Sequence, residues 1–182
     1  MFDKNLLKGK RILVTGGGSG LGKEMSRHFL TYGAEVIICG RRDEVLQKTA
    51  TELADETKGN ISAHSLDIRD SLAIEETINN IFDEGPLDGL VNNAAGNFIS
   101  RTNDLSPNGF NAIASIVFHG TFNMTNTVGK KWIELNKPGT ILSITTTWVW
   151  TGSPFVVPSA MSKSGINACL LYTSDAADDT CC

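Results

Sequence analysis

A doubly wound α/β fold, with a parallel sheet covered by helices on both faces, is predicted by three observations. Apolar runs of strand length alternate with helical periods from Lys10 to Pro158. The connections between them are short. The run Glu35-Val36-Ile37-Ile38-Cys39 is apolar almost throughout, as strands buried on both faces are.

Taken in order, Lys10 to Val14 reads as the first strand, and Leu21 to Tyr32 as a helix with Leu21, Met25, Phe29 and Leu30 on its apolar face. Gly33 stops that helix. Glu35 to Cys39 is the second strand, Asp43 to Thr57 a helix, and Lys58-Gly59-Asn60 a turn. Ile61 to Leu66, Ser71 to Asp83 and Leu87 to Val91 follow as strand, helix, strand. A long helix is expected from Ser106 to Leu135, a turn at Lys137-Pro138-Gly139, and a fifth strand from Thr140 to Thr145. After a loop through Pro154, the last helix starts near Pro158. There is no internal repeat, linker or low-complexity stretch.

With 182 residues, 41% hydrophobic and 20% charged, the chain has the makeup of one ordinary globular domain. The net charge of -4 leaves no basic stripe to meet a polyanion, so a nucleic-acid partner is not expected. No apolar stretch reaches the roughly 20 residues that span a bilayer, and the start carries no secretory segment. A cytoplasmic protein without a membrane partner is expected. The four cysteines, Cys39, Cys169, Cys181 and Cys182, have neither zinc spacing nor disulfide density, so no metal site is expected. Residues 1–168 read as the folded domain. Residues 169–182 lose all apolar period and read as a non-native tail, the alternative being a frayed polar terminus.

The segment Thr15-Gly16-Gly17-Gly18-Ser19-Gly20-Leu21-Gly22 lies between the first strand and the first helix. Glycines there permit a tight turn and let backbone N–H groups approach an anion, which the positive end of the following helix also favours. Thr15, Gly16, Gly18, Ser19, Gly20, Leu21 and Gly22 are thus expected to cradle the pyrophosphate of a dinucleotide. The spacing is T-G-x3-G-x-G rather than G-x-G-x-x-G, so the generic rule applies through its mechanism. Past the second strand, where a carboxylate would accept bonds from a ribose hydroxyl, stand Gly40, Arg41 and Arg42. Two guanidinium groups suit a 2'-phosphate, which makes NADP(H) the expected cofactor. The alternative is that both arginines are solvated residues starting a helix.

Together with Asp67-Ile68 and Asn92-Asn93-Ala94-Ala95-Gly96, the glycine loop resembles the short-chain dehydrogenase/reductase family, a Rossmann-type fold, over residues 9–168. The resemblance implies that Asp67 and Ile68 contact the adenine region, and that Asn93, Ala94, Ala95 and Gly96 support the fourth strand and the cofactor. The family's Tyr-x-x-x-Lys is altered here to Ser159-Ala160-Met161-Ser162-Lys163. The family serine aligns with Thr146, and the helix asparagine with His119.

The 2,4-dienoyl-CoA reductases depart from the family in this same way. The segments Asn93 to Phe98, Ser143 to Thr146 and Thr151 to Ser159 are similar to that branch. The resemblance implies an acyl-CoA substrate in fatty acid metabolism, with Lys163 holding the nicotinamide ribose and Ser159 and Asn97 at the thioester carbonyl. The branch's loop tyrosine is replaced by Trp148, which cannot serve as a proton donor. His119 is the candidate donor, directly or through water; it also reads as a residue merely filling the asparagine position. Trp148 and Trp150 alternate at the mouth of the fifth strand, flanked by Phe98 and Phe155, and the four line an acyl channel or are ordinary packing residues. Other readings are a carbonyl or alcohol reductase of the same family, and an NADP(H)-binding protein without turnover. Family members continue for roughly 70 to 80 residues more and form homotetramers, so the chain is expected to be incomplete, with an uncovered edge at the fifth strand.

Overall fold

The computed structural model describes residues 2–172, and these fall into two compact units. The first takes in the described residues to Ala94 together with Asn123–Ile144; the second comprises Ala95–Phe122 and the described residues from Thr145 onward. The part of the expected tail at residues 173–182, including Cys181 and Cys182, lies outside the described residues.

The first unit is built on a five-stranded parallel sheet in the order β3-β2-β1-β4-β5. Its strands are β1 (Arg11–Thr15), β2 (Glu35–Gly40), β3 (Ile61–Ser65), β4 (Gly89–Asn92) and β5 (Thr140–Ser143). In β2, Val36, Ile37, Ile38 and Cys39 are fully buried, which is why that run lacks alternation. Helices α1 (Gly20–Thr31), α2 (Asp43–Thr57) and α3 (Ser71–Glu84) connect the first four strands. Leu30 of α1 and Leu46, Ala50 and Leu53 of α2 pack on Ile12, Val14, Val36 and Ile38.

Polar contacts set the remaining joints. Asp70 caps α3 by accepting from the N–H groups of Leu72 and Ala73, at 3.0 and 3.1 Å. At the other end of α3, Arg11 donates to the carbonyls of Ile81, at 2.8 Å, and Gly85, placing a cation on the negative helix terminus. The Trp132 indole donates to the Leu87 carbonyl at 2.7 Å, holding the end of α5 (Gly120–Glu134) at the entrance to β4.

The second unit contains a 3-10 turn (Thr102–Asp104), α4 (Pro107–Ala114), a π-helical segment (Ser115–His119), the start of α5, α6 (Trp148–Thr151) and α7 (Val157–Tyr172). Its core is Ile113, Val117 and Ile166, with Ile116 and Leu170 packed on it.

Several expectations need correction. The helix expected as one piece from Ser106 to Leu135 is interrupted by the wide π turn at Ser115–His119. The fifth strand ends at Ser143 rather than Thr145. Trp148 and Trp150 do not alternate on a strand end but share the single turn of α6. Leu21, expected on the apolar face of α1, is 67% exposed. It sits in the first turn of α1, beside the glycine loop rather than over the sheet.

Candidate functional site

Order reversal in the sheet falls between β1 and β4, whose carboxyl ends part the chain in opposite directions. Ligands of doubly wound sheets bind at such a crevice. The glycine loop leaves β1 there, and its Gly16 N–H donates back to the Cys39 carbonyl at 2.8 Å, seating the loop across the end of β2. Ser19 precedes α1 without a side-chain cap bond, so no hydroxyl competes for the first-turn N–H groups. Gly20, the first residue of α1, has φ +55 and nothing within 4 Å of where a Cβ would stand. Gly22 is pressed on the loop: a Cβ there would meet the Gly16 carbonyl oxygen and lie 2.6 Å from Asn93 Nδ2. The result is a turn with one open side and one closed side, as a pyrophosphate cradle requires.

Asn93 closes the cradle from β4. Its side-chain Nδ2 donates to the carbonyls of Thr15 and Gly16, at 3.0 and 3.2 Å. Thr15, buried at 1% exposure, accepts at Oγ1 from the N–H groups of Asn93 and Ala94, both at 3.0 Å. Sequence reasoning gave Thr15 a place in the loop but missed this bracket. Asn92, which opens the Asn92 to Gly96 motif, donates from Nδ2 to Thr125 Oγ1 at 2.9 Å while its buried Oδ1 has no partner among the described residues.

Beyond the next strand ends, Arg41 and Arg42 are both exposed, with Arg42 directly preceding α2. The Leu66 N–H donates to the Gly40 carbonyl at 2.8 Å, so Arg41 and Asp67 emerge side by side. Asp67 is gripped by Arg69, a residue not singled out from sequence. Arg69 Nε lies 2.9 and 3.0 Å from the two carboxylate oxygens, its Nη2 contacts the second, and its backbone N–H donates to the first at 3.1 Å. Those bonds hold the Asp67 carboxyl below its ordinary pKa. Ile68 is buried. Thr15 to Gly22, Arg41, Arg42, Asp67, Ile68, Asn93 and Ala94 thus all belong to the first unit.

The second unit holds the other candidates. Ala95 is exposed, and Gly96 lies against Ile113 and Ile116, a Cβ at Gly96 reaching their Cδ1 atoms at 3.5 and 3.4 Å. Ser159 and Lys163, one helical turn apart on α7, are both 6% exposed. Burial pushes the Lys163 ammonium below its ordinary pKa. His119 ends the π segment, exposed, with its ring 5.4 Å from that of Phe118 in an edge-on arrangement. Thr146 lies half-buried in the turn before α6. Phe98 and Phe155 are partly exposed, and their loops are joined by the Ser100 N–H to Phe155 carbonyl bond at 3.0 Å. Among the described residues no cluster of metal-ligating side chains occurs, and no helix is long and apolar enough to cross a membrane.

Parallel sheet and glycine cradle define a dinucleotide-binding fold. The short chain dehydrogenase family model matches residues 10–179, and the chain belongs to that family. Its members work with a nicotinamide cofactor, and the cradle described above fits one. A probable 2,4-dienoyl-CoA reductase of Caenorhabditis elegans, described as (3E)-enoyl-CoA-producing, is 45% identical over 163 residues, covering 88% of this chain and 52% of the worm protein. A short chain dehydrogenase structure from Bacillus anthracis superposes with a TM-score of 0.85 at 38% identity, covering 93% of this chain and 69% of that one. An actinorhodin polyketide ketoreductase solved with NADPH gives 0.81 at 30% identity, with 86% and 60% covered. The chain spans about half the length of the worm relative it matches.

Proposed function

We propose that the protein is an NADPH-dependent reductase that converts a 2,4-dienoyl-CoA to an enoyl-CoA, a step of unsaturated fatty acid β-oxidation. The observation that carries this is the replacement of the family's tyrosine by Ser159, one turn before the buried Lys163. A carbonyl reductase needs a phenol at that place to protonate an alkoxide as hydride arrives. A conjugated thioester does not: the charge travels to the thioester oxygen, which needs stabilisation rather than immediate protonation. The similarity to the worm reductase supports the same substrate class.

A nicotinamide cofactor held in the cradle would supply hydride to the distal carbon of the diene, giving a dienolate of the substrate. Lys163 binds the nicotinamide ribose as a cation. Ser159 and Asn97 donate hydrogen bonds to the thioester oxygen as it gains charge. His119 delivers the proton to the dienolate carbon, directly or through water, and Thr146 supplies a further hydroxyl at the carbonyl. Phe98, Trp148, Trp150 and Phe155 are apolar enough to flank an acyl chain. Arg41 and Arg42 select the 2'-phosphate of NADPH, supported by their exposure at the end of β2. The free, buried thiol of Cys39 agrees with a reducing compartment such as the cytoplasm. The working form is a homotetramer; α7 carries the folded part of this chain past the expected boundary at 168 to Tyr172, with Leu170 packed on Ile113, Val117 and Ile166, and a non-native tail is confined to the residues after it.

The test incubates the purified protein with NADPH and either hexadienoyl-CoA or acetoacetyl-CoA, following absorbance of the cofactor and the diene. Loss of the diene with cofactor oxidation is expected. Oxidation with the ketone alone would show a carbonyl reductase. Binding of NADPH without oxidation by either substrate would show a protein without turnover.

A further inference from the structure

The threonines of α2 use their hydroxyls in two different ways. Thr51 and Thr57 donate back along their own helix, to the carbonyls of Gln47 and Leu53 at 3.0 and 2.7 Å. That is the ordinary local bond of a threonine inside a helix. Thr49, buried at 3% exposure, instead donates out of the helix to the Gly18 carbonyl at 2.8 Å. Leu46, three residues earlier on the same face, and its neighbour Val45 seat that glycine from below. A Cβ built on Gly18 would stand 3.2 Å from Leu46 Cδ2 and 3.4 Å from Val45 Cγ1. The helix that starts beside Arg41 and Arg42 thus also grips the middle of the glycine loop.

Holding this carbonyl sets a donor on the other side of the same peptide. The unit between Gly18 and Ser19 is planar and trans, so its C=O and N–H point in opposite directions. With the Gly18 oxygen drawn to α2, the Ser19 N–H faces away from that helix. It donates to no protein acceptor among the described residues. Glycine at position 18 leaves the peptide free to turn over, so the loop's own backbone does not fix this orientation. Turned over, the peptide would set a carbonyl where the N–H now stands, and an oxygen repels the anion that an N–H attracts.

We propose that Thr49 is a positioning residue for the pyrophosphate: its hydroxyl, by pinning the Gly18 carbonyl to α2, keeps the Ser19 N–H turned out as a phosphate donor. This rests on the NADPH assignment given above. The threonine touches no ligand itself and acts through the peptide it holds.

The test measures NADPH affinity by isothermal titration in the unaltered protein, Thr49→Val and Thr49→Ser. Displacement of NADPH then gives the affinity of each for adenosine 2'-monophosphate, which carries the base, ribose and 2'-phosphate but no pyrophosphate. Thr49→Val keeps the shape and removes the hydroxyl. It is expected to bind NADPH about tenfold more weakly, the worth of one charge-assisted hydrogen bond, with the monophosphate unchanged. Thr49→Ser restores NADPH binding to within about twofold of the unaltered protein. An unchanged NADPH affinity in Thr49→Val overturns the proposal, and so does an equal loss for both probes, which marks a general disturbance of α2. Failure of the unaltered protein to bind NADPH overturns the cofactor assignment and the proposal with it. If NADPH binds but the monophosphate does not displace it, the 2'-phosphate site at Arg41 and Arg42 falls, and the NADPH affinities of the two variants decide the proposal alone. Circular dichroism checks the folding of each variant. Where Thr49→Val does not fold, the Ser19 amide of the isotope-labelled unaltered protein decides by nuclear magnetic resonance: a downfield shift on adding NADPH supports the proposal, and no shift overturns it.

Discussion

Asn93 is tied to Thr15 by two hydrogen bonds, from its backbone N–H to Thr15 Oγ1 and from its Nδ2 to the Thr15 carbonyl, both at 3.0 Å. This pair closes the crevice between β1 and β4, where the ladder bonds of the sheet have ended. The Thr15 hydroxyl also donates to the Val91 carbonyl at 3.2 Å and accepts from the Ala94 N–H. Thr15→Val keeps the shape and strands these groups in a buried place. A loss of about 2 to 3 kcal/mol is expected in urea denaturation. Thr15→Ser, which retains the hydroxyl, should lose about 1 kcal/mol or less, for the missing methyl alone. Equal losses in the two variants would show that packing, not the bracket, holds the joint.

The glycine loop separates a folding requirement from a binding requirement. A methyl group at Gly22 would enter the Gly16 carbonyl and the Asn93 amide, so Gly22→Ala must deform the loop itself. A methyl group at Gly20 meets no protein atom and adds only the strain of φ +55, about 1 to 2 kcal/mol. Gly22→Ala is expected to lose stability and cofactor binding together. Gly20→Ala should melt near the unaltered protein yet bind NADPH more than about tenfold more weakly, because the open side is where phosphate oxygens approach. Isothermal titration beside thermal melts decides it: tight binding by Gly20→Ala would place the pyrophosphate elsewhere.

How legible these features are in the sequence follows from the range of the interactions that make them. Ile12-Leu13-Val14 and Val36 to Cys39 declare buried parallel strands because every side chain, on both faces, must be apolar. The cradle is legible because glycine is demanded locally. The π segment at Ser115–His119 is not: Ile113 and Val117 keep an ordinary helical spacing across it, and one extra residue in a turn leaves no mark on composition. The single turn of α6 is too short to show a period, so Trp148 and Trp150 read as alternating. Arg69 is signalled by its place two residues after Asp67, the spacing at which an Asx turn brings its N–H onto the aspartate.

Cys39 lies at the end of β2 with no exposed surface, and burial pushes its thiol up to about 12 from 9.0. The thiolate is the reactive form, so native Cys39 should resist iodoacetamide at about pH 8.5, where an unfolded cysteine is substantially ionised. Half-buried Cys169 is expected to label faster than Cys39. Peptide mapping by mass spectrometry, with and without urea above the midpoint, gives the two rates. Equal native rates at Cys39 and Cys169 would mean that the β2 end opens readily.

Lys163 carries a cost whose pH dependence can be measured. Burial lowers its pKa in the folded protein from 10.5, so between the two values the unfolded chain binds more protons than the native one. Below that window both states are protonated and the fold bears the cost of burying an ammonium group. Above 10.5 both are neutral and the cost is gone. Stability contributed at this position therefore rises with pH through the window. Lys163→Met preserves length and apolar packing but removes the titration. Measured by urea denaturation from about pH 7.5 to about pH 10, the unaltered protein should gain stability relative to Lys163→Met, since every other titrating group is common to both. A constant difference across that range would show that the ammonium is as well stabilised in the fold as in water.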